Sequence, residues 1–514
     1  MNNVSLTPVN QYDSEFCGSI PLNLINQIQA HGVLLVLDRV DLKIVQVSEN
    51  IVTILNTPVQ QFLNKKLDEF VSGTQVKNIR EKIDQQNLKD HIPLNLQIIT
   101  DSKKSDFSAV LHFKDDYVLL ELEEIDAGKD QLSFLSIYQE IKYITAALKE
   151  AKDGEEIARI AATEIKRLSG FDRVMIYQFD AEWNGTVIAE AKTEDLYPYL
   201  NLRFPASDIP KQARDLYFKN PYRLIPNRDF VPARLIPVVN PITRTFTDLS
   251  ECALRSVPAV HIEYLRNMQV AASMSTAIII NNSLWGLISC HHKTPKFPDF
   301  EMRSAFELLA DIIAVQLMSK ERECKLQFRS RIHNVHAKVL TQLFSQKDLV
   351  TGLLAEATYI QELLNIDGLA FVFDGNIKTT GTTPNPEQLW GLVHWLQMYS
   401  PTSTLVTDTL PGLFGESILY GDIASGLLAL PIDTRKGSYV LGFRPEITQV
   451  VEWGGNPNEA INFEPDGKTY HPRNSFATWK ETVKHKSAPW RKSEMEAAEV
   501  LRSLILEKII RDKT

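Results

Sequence analysis

Short alternating runs of apolar and polar residues open the chain. HGVLLVLD and KIVQVS are β-rich runs separated by Arg39–Asp41, and ENIVTIL follows as a helical segment. LNLQIIT, FSAVLHF and YVLLELEEI add further strands, which predicts a small α+β sensor-type domain ending near residue 130. Ile157, Ile160, Ala161, Ile165 and Leu168 then recur at helical spacing, with Gly170 where a C-terminal cap belongs. The strands FDRVMIYQFD and GTVIAEAK follow, and TAIII and LWGLISC, joined through Asn281-Asn282-Ser283, read as a hairpin. Between them lies a Pro-rich stretch of about sixty residues, Pro198 to Pro258, with so little regular pattern that it is expected to be irregular and functional.

Asp299 to Thr351 contains neither Gly nor Pro. Phe306, Leu309, Ile312, Ile313 and Leu317 trace one helical face, which runs on past Phe328 and Ile332. A helix of about 45 residues reaches roughly 70 Å, so it is expected to join two domains. A third α+β unit carries the strands LAFVF, SGLLALPID and SYVLGF and a Gly/Asn/Pro-rich arm from about Arg444 to Trp490. A final helix from about Lys492 places Ala498, Leu501, Ile505 and Ile509 in a seam suited to pairing with a second copy. The expected division is therefore 1–130, 131–318 and 319–514.

Composition narrows the function. Hydrophobic residues make up 44% and charged residues 23%, the balance of globular protein. Fifty-five Lys and Arg against 64 Asp and Glu leave a net charge of −9, which argues against nucleic acid as the partner. Four cysteines cannot build a disulfide framework in a chain this long, MNNVSLTPVN is no secretory signal, and the longest apolar stretch, Val270 to Cys290, is broken by Asn281, Asn282 and Ser283. A cytoplasmic protein with no membrane contact is expected. No phosphate-cradling Gly-rich loop, metal-spaced Cys or His pair, nucleophile elbow, phosphoacceptor histidine or ATP-binding region is present, so neither catalysis nor a metal is expected.

The most specific stretch is Arg203-Phe204-Pro205-Ala206-Ser207-Asp208-Ile209-Pro210, in which two prolines restrict the backbone on either side of Asp208. Alone, it reads as an Asx-type turn. Arg223 and Arg255 are forked donors suited to carboxylates, and Ser273 and Ser275, two apart, share a strand face.

FPASDIP, with HIEYLRNM at 261–268, AASMS at 271–275, WGLISCHH at 285–292 and PRNSF at 472–476, resembles the photosensory core of bacterial phytochromes, in the order PAS, GAF, PHY, over nearly the whole chain. The resemblance implies an α+β fold of three sensor-type domains with antiparallel sheets and long connecting helices. It also implies a figure-of-eight knot, in which the N-terminal segment threads the insertion near 225–255, and a tongue formed by the arm at about 444–490. It implies biliverdin as cofactor, joined by a thioether to Cys17 in EFCGS; plant and cyanobacterial relatives use a cysteine just before the histidine of the HIEYL motif, where this chain has Val260. Arg223, Arg255, Ser273 and Ser275 would then serve the propionates. The Asp208 carbonyl and His261 would face the pyrrole N–H groups, and His291 the ring D carbonyl. Tyr177, Phe204 and Tyr264 would line the ring D pocket, Ile209, Pro210, Tyr217 and Ser475 would complete the pigment contacts, and Arg473 would pair with Asp208. Many bacterial relatives carry Ser-Pro shortly before the histidine; Pro258-Ala259-Val260-His261 lacks that serine.

The function so implied is red/far-red photoreception. Ring D isomerises between Z and E, the tongue refolds, and the long helices of a homodimer carry the change to an output module, such as a histidine kinase, or to a response regulator. Gly454, Gly455 and Pro457 weaken either regular structure, and FATWKETVKHK suits helix or strand, as a two-state element requires. The alternative is a GAF-type sensor of a cyclic nucleotide or haem without photochemistry.

Overall fold

A computed structural model describes residues 21–84, 92–125, 134–346, 348–399, 403–447, 449–459, 461–463 and 470–513. The chain divides into two compact units, Met1–Met318 with Glu452–Trp479, and Ser319–Val451 with Lys480–Thr514.

Among the described residues the first unit holds two large sheets and the two-stranded ribbon of Ile461–Phe463 and Tyr470–Pro472. One runs in the order Gln27–Ile28, Ala233–Ile236, Ile44–Ser48, Val33–Asp38, Tyr117–Glu124, Lys104–Phe113, Ile92–Ile99, and all its pairings are antiparallel. The unbroken apolar run of Val33–Asp38 is buried on both faces. Its odd positions pack on Ile51, Leu55, Phe62 and Ile79, its even ones on Ile28, Leu119, Leu235, Leu249 and Leu254. Residues just after the N-terminus lie along the insertion that the knot reading requires: Leu249 N–H donates to the Asn23 carbonyl (2.9 Å), Ser256 N–H to Gln27 (2.9 Å), and the Gln29 side chain to Leu224 (2.9 Å).

The second sheet runs Tyr222–Ile225, Ala272–Ile280, Ser283–His292, Arg173–Phe179, Gly185–Lys192, Arg203–Phe204, and Trp453 of the arm adds to it in parallel opposite Arg203. Its hairpin turns through Asn281 (φ 51°) and Asn282 (φ 58°), a pair of left-handed residues that matches strand twist. Beneath it the Gly154–Ser169 helix starts at Asp153, whose carboxylate accepts Glu156 N–H, and stops at left-handed Gly170 (φ 64°). The Pro198–Pro258 stretch is less irregular than its sequence suggests. It supplies the Lys211–Leu216 helix and the strands Tyr222–Ile225 and Ala233–Ile236, each too short to show a period and each strand paired with a distant part of the chain.

The predicted long helix spans Phe300–Ser345, 46 residues. In the first unit Phe306, Leu309 and Ile313 pack on Ile157, Ala161 and Ile165. In the second unit a five-stranded sheet runs Asn376–Gly381, Gly368–Phe373, Ser438–Arg444, Gly426–Asp433, Leu405–Thr407. The terminal helix is Lys492–Lys513. Its expected seam is used within the unit: Ala498, Leu501 and Ile505 are buried with Ile360, Leu364 and Leu430, so this face does not pair with a second copy.

Candidate functional site

A cavity of about 510 Å³ lies in the first unit. The period-two alternation of the second sheet builds one wall. Arg223, Ser275, Ser289 and Met175 stand in cross-strand register over four strands, and Ser273 sits opposite His291. Leu287 and Tyr177 form the next row, and all eight line the cavity. The Ala259–Asn267 helix brings His261, Tyr264 and Leu265 onto the cavity at spacings of three and four, followed by Met268 just past its end. The His261 and Tyr264 rings are parallel within 9°, with centroids 5.8 Å apart.

The prolines around Asp208 act as read from sequence. Pro205 and Pro210 are both extended, and a single tight turn, Ala206–Asp208, hangs between them. Pro210 also starts the Lys211–Leu216 helix, where its missing N–H costs nothing. The Asp208 carboxylate accepts the Tyr264 hydroxyl (2.8 Å) and ion-pairs with Arg473. The two paired side chains are only 6% and 3% exposed. Burial penalises the Arg473 charge, yet Asp208 overcomes it and holds the guanidinium above its ordinary value. Burial raises the Asp208 carboxyl, against the pull of Arg473 and Tyr264. Arg473 also lies 5.5 Å from the Phe204 ring and 5.0 Å from Phe476. Gly454 permits this approach, since a Cβ there would stand 2.5 Å from the Phe204 ring.

The rest of the cavity carries uncompensated positive charge. Arg223 donates to the carbonyls of Ala253 (3.3 Å) and Ser256 (2.8 Å), and Arg255 to those of Leu249 (3.4 Å) and Ser250 (3.2 Å). Among the described residues neither has a carboxylate partner. Burial, with Arg255 adding repulsion, lowers Arg223 to about 9, and burial lowers Arg255 as well. Burial and Arg223 lower His261 to about 4; burial, then Arg173 and His261, lower His291 to about 3. Both imidazoles are therefore neutral at pH 7. The His291 Nδ1 and the Ser256 hydroxyl are buried without a hydrogen-bond partner. Two forked cations, several hydroxyls, neutral imidazoles and a lining of aromatic rings suit a flat, conjugated ligand that carries carboxylates, as a linear tetrapyrrole does.

The structure gathers Asp208, Ile209, Pro210, His261, His291, Tyr177, Phe204, Tyr217, Tyr264, Arg223, Arg255, Ser273 and Ser275 around this one cavity, with Arg473 behind Asp208. Tyr217 shares a hydrogen bond with Ser275 (2.7 Å). Ser475 does not join them: it is exposed, accepts Ala477 N–H and is no part of the wall, because the arm turns its side chain away from Asp208. Cys17 lies outside the described residues. Sequence reasoning missed Ser256, Ser289 and Cys252, which also line the cavity. Ser289 was detectable, two positions before His291 on one strand; Ser256 stands in an irregular segment that marks no face. Burial and the neighbouring Glu121 push the Cys252 thiol well above its ordinary value, which disfavours the thiolate.

Comparison with known proteins matches residues 17–125 to a PAS fold, 153–317 to a GAF domain and 332–514 to a phytochrome region. Cyanobacterial phytochrome B of Nostoc sp. is 39% identical over 507 residues, covering 98% of this chain and 67% of that protein. A bacteriophytochrome of Xanthomonas campestris is 31% identical over 507 residues, 97% of this chain and 79% of that one. The crystal structure of a bacteriophytochrome from R. palustris superposes with a TM-score of 0.85 at 34% identity, covering 96% of this chain and 99% of that one. The chain spans 64% to 67% of the length of the cyanobacterial relatives it matches.

Proposed function

This chain belongs to the phytochrome family, and we propose that it is a red/far-red sensing core that holds biliverdin in the 510 Å³ cavity through a thioether to Cys17. The observation that carries the reading is the pair of guanidinium groups, Arg223 and Arg255, without a carboxylate partner among the described residues, on a wall that also presents hydroxyls, neutral imidazoles, and aromatic and aliphatic side chains. Leu22, five residues after Cys17, lines the cavity, and five residues span at most about 18 Å. Val260, where cyanobacterial and plant relatives place their cysteine, is on the wall and carries no thiol.

Arg223 and Arg255 bind the two propionates, with Ser273, Ser275 and Ser256 donating hydroxyl bonds. The Asp208 carbonyl and neutral His261 accept from the pyrrole N–H groups, and His291 donates to the ring D carbonyl. Tyr177, Phe204 and Tyr264 set the room beside ring D and exclude water. The bound pigment supplies absorption of red light and a Z-to-E rotation about its last methine bridge. Asp208 shares its buried carboxylate between Tyr264 and Arg473, so a disturbance at the pocket reaches the arm through this ion pair, beside the contact of Tyr264 with Phe476. The arm then refolds, and the long helices carry the change to an output module such as a histidine kinase. A homodimer through those helices fits the exposed Leu308 and Val315 of Phe300–Ser345 and the exposed Leu135, Tyr138 and Tyr143 of Phe134–Glu150.

Coexpression with a biliverdin source, followed by absorption spectra before and after red light, tests the reading. A photoreversible long-wavelength band is expected; a colourless product, or a coloured one indifferent to light, overturns it. Cys17→Ser is expected to keep the pigment but lose the adduct on a denaturing zinc-fluorescence gel, whereas a persisting adduct assigns the link to another thiol.

A further inference from the structure

The arm leaves and re-enters the second unit at one place, and a single buried guanidinium sits there. Arg444 ends the Ser438–Arg444 strand and is 3% exposed. Its Nε donates to the Asn365 carbonyl (2.7 Å), its Nη1 to the carbonyls of Ala488 (3.2 Å) and Pro489 (3.1 Å), and its Nη2 to the Leu364 carbonyl (3.0 Å) and the Glu494 carboxylate (2.8 Å). These contacts match the five N–H donors of a guanidinium. The group also lies 3.7 Å from the centre of the Trp490 ring, and Trp490 in turn donates to the Thr407 carbonyl (2.9 Å).

The junction joins four parts of the chain: Arg444 itself, Leu364 and Asn365 at the end of the Ala357–Leu364 helix, Ala488 and Pro489, and Glu494. Arg444 is the root of the outgoing stem, and Ala488 and Pro489 belong to the returning one. The stems meet where Ile447 N–H donates to the Lys486 carbonyl (2.8 Å). Glu494 stands in the first turn of Lys492–Lys513 and also accepts Arg491 N–H (2.8 Å), so it caps the terminal helix while neutralising Arg444. Gly426, the cross-strand partner of Arg444, leaves the room for this junction, since a Cβ there would stand 2.1 Å from the Ser487 hydroxyl oxygen.

We propose that Arg444 is the positioning residue that couples the arm to the terminal helix. One buried charge is shared by both stems and by the helix start. The stems therefore cannot shift unless the helix shifts with them or the charge is left without its carboxylate, and that alternative is strongly disfavoured. The coupling is consequently a switch between discrete arrangements rather than a graded bend. The inference deepens the light-sensing reading and rests on its refolding arm.

The test is hydrogen–deuterium exchange on the full pigment-loaded chain, in the dark and after red light, for wild type, Arg444→Lys and Glu494→Gln. Lysine presents its donors from a single point and cannot span the three partners, while glutamine keeps the size of Glu494 and removes its charge. Expected in both variants are a normal spectral change and a normal light response in residues 449–483, with the response of residues 492–513 reduced at least about fivefold. A purely structural Arg444 would change stability in both light states and leave the light-minus-dark difference in the helix intact, and that outcome in either variant overturns the proposal. A wild-type chain whose pigment photoconverts with no response in 449–483 instead overturns the refolding arm, and this inference with it.

Discussion

Along the Tyr117–Glu124 strand the inward carboxylates Glu121 and Glu123 both have partners within the chain. Glu123 takes both Nη groups of Arg303 (2.7 and 2.6 Å) and lies 3.9 Å from His31. Glu121 pairs with His112 and accepts the backbone N–H groups of Ala253 (3.0 Å) and Leu254 (2.7 Å). Around the cavity the balance is different. Arg223 and Arg255 are satisfied only by carbonyl oxygens, and the sole carboxylate on the wall, Asp208, is taken by Arg473. Buried charge is costly in both places. In this seam the cost is offset by a residue of the same chain, which makes Glu123 and Arg303 a joint between the strand and the Phe300–Ser345 helix. In the cavity, among the described residues, it is offset by carbonyl dipoles alone, as the proposed role of these arginines toward a carboxylate-bearing pigment requires. The two were indistinguishable by residue type, since each contains arginine, histidine and a carboxylate.

The sharpest way to break this contrast is to unpair the seam. Arg303→Met leaves Glu123 without its cation and is expected to cost ~3 kcal/mol or more, read by urea unfolding of the pigment-free protein. A loss below about 1 kcal/mol would remove the distinction between joint and receptor.

Next in size is the pH dependence. His261 titrates near 4 in the folded chain against an ordinary 6.5, so the unfolded chain binds more protons between those values and stability falls as pH drops through that window. The loss amounts to about 3 kcal/mol. Glu121 acts in the same sense in a lower window: despite its burial, His112 and the backbone hold it at about 2, so the stability it adds above its ordinary 4.5 is lost as pH falls through about 2. His31, lowered to about 4 by burial, loads the upper window from the seam side. Acid unfolding of His261→Gln is therefore expected to flatten the limb between pH 6.5 and 4 while leaving the limb below 4, where Glu121 titrates, unchanged. Equal flattening of both limbs would show that the clusters titrate as one.

The smallest expected effect on stability comes from Arg255→Met in the pigment-free chain, under about 1 kcal/mol, because it removes two long hydrogen bonds together with an uncompensated charge. The same variant is expected to bind biliverdin about tenfold or more weakly, measured by absorbance titration. Should it instead destabilise the protein as much as Arg303→Met, the cavity arginines are joints too.

Much of this molecule can be read from neighbours in the chain. The 46-residue helix, the Gly170 stop, the Asn281-Asn282 turn, the rigid frame of Asp208 and the shared face of Ser273 and Ser275 all follow from relations between residues zero to four apart. Relations between distant residues were not legible. Strands of two to four residues, such as Gln27–Ile28 and Ala233–Ile236, carry no period, and only their pairing reveals them. The Ala498–Ile505 face looks equally fit for a second copy or for its own sheet, and packing selected the sheet. Ser475 lies two residues from Arg473 yet faces outward, while Ser256 lies in an irregular segment and faces the cavity. Periodicity is a property of a segment, whereas charge balance and register are sums over segments up to hundreds of residues apart. The chain therefore displays its elements and its candidate chemistry, and folding settles which cations are left for a ligand.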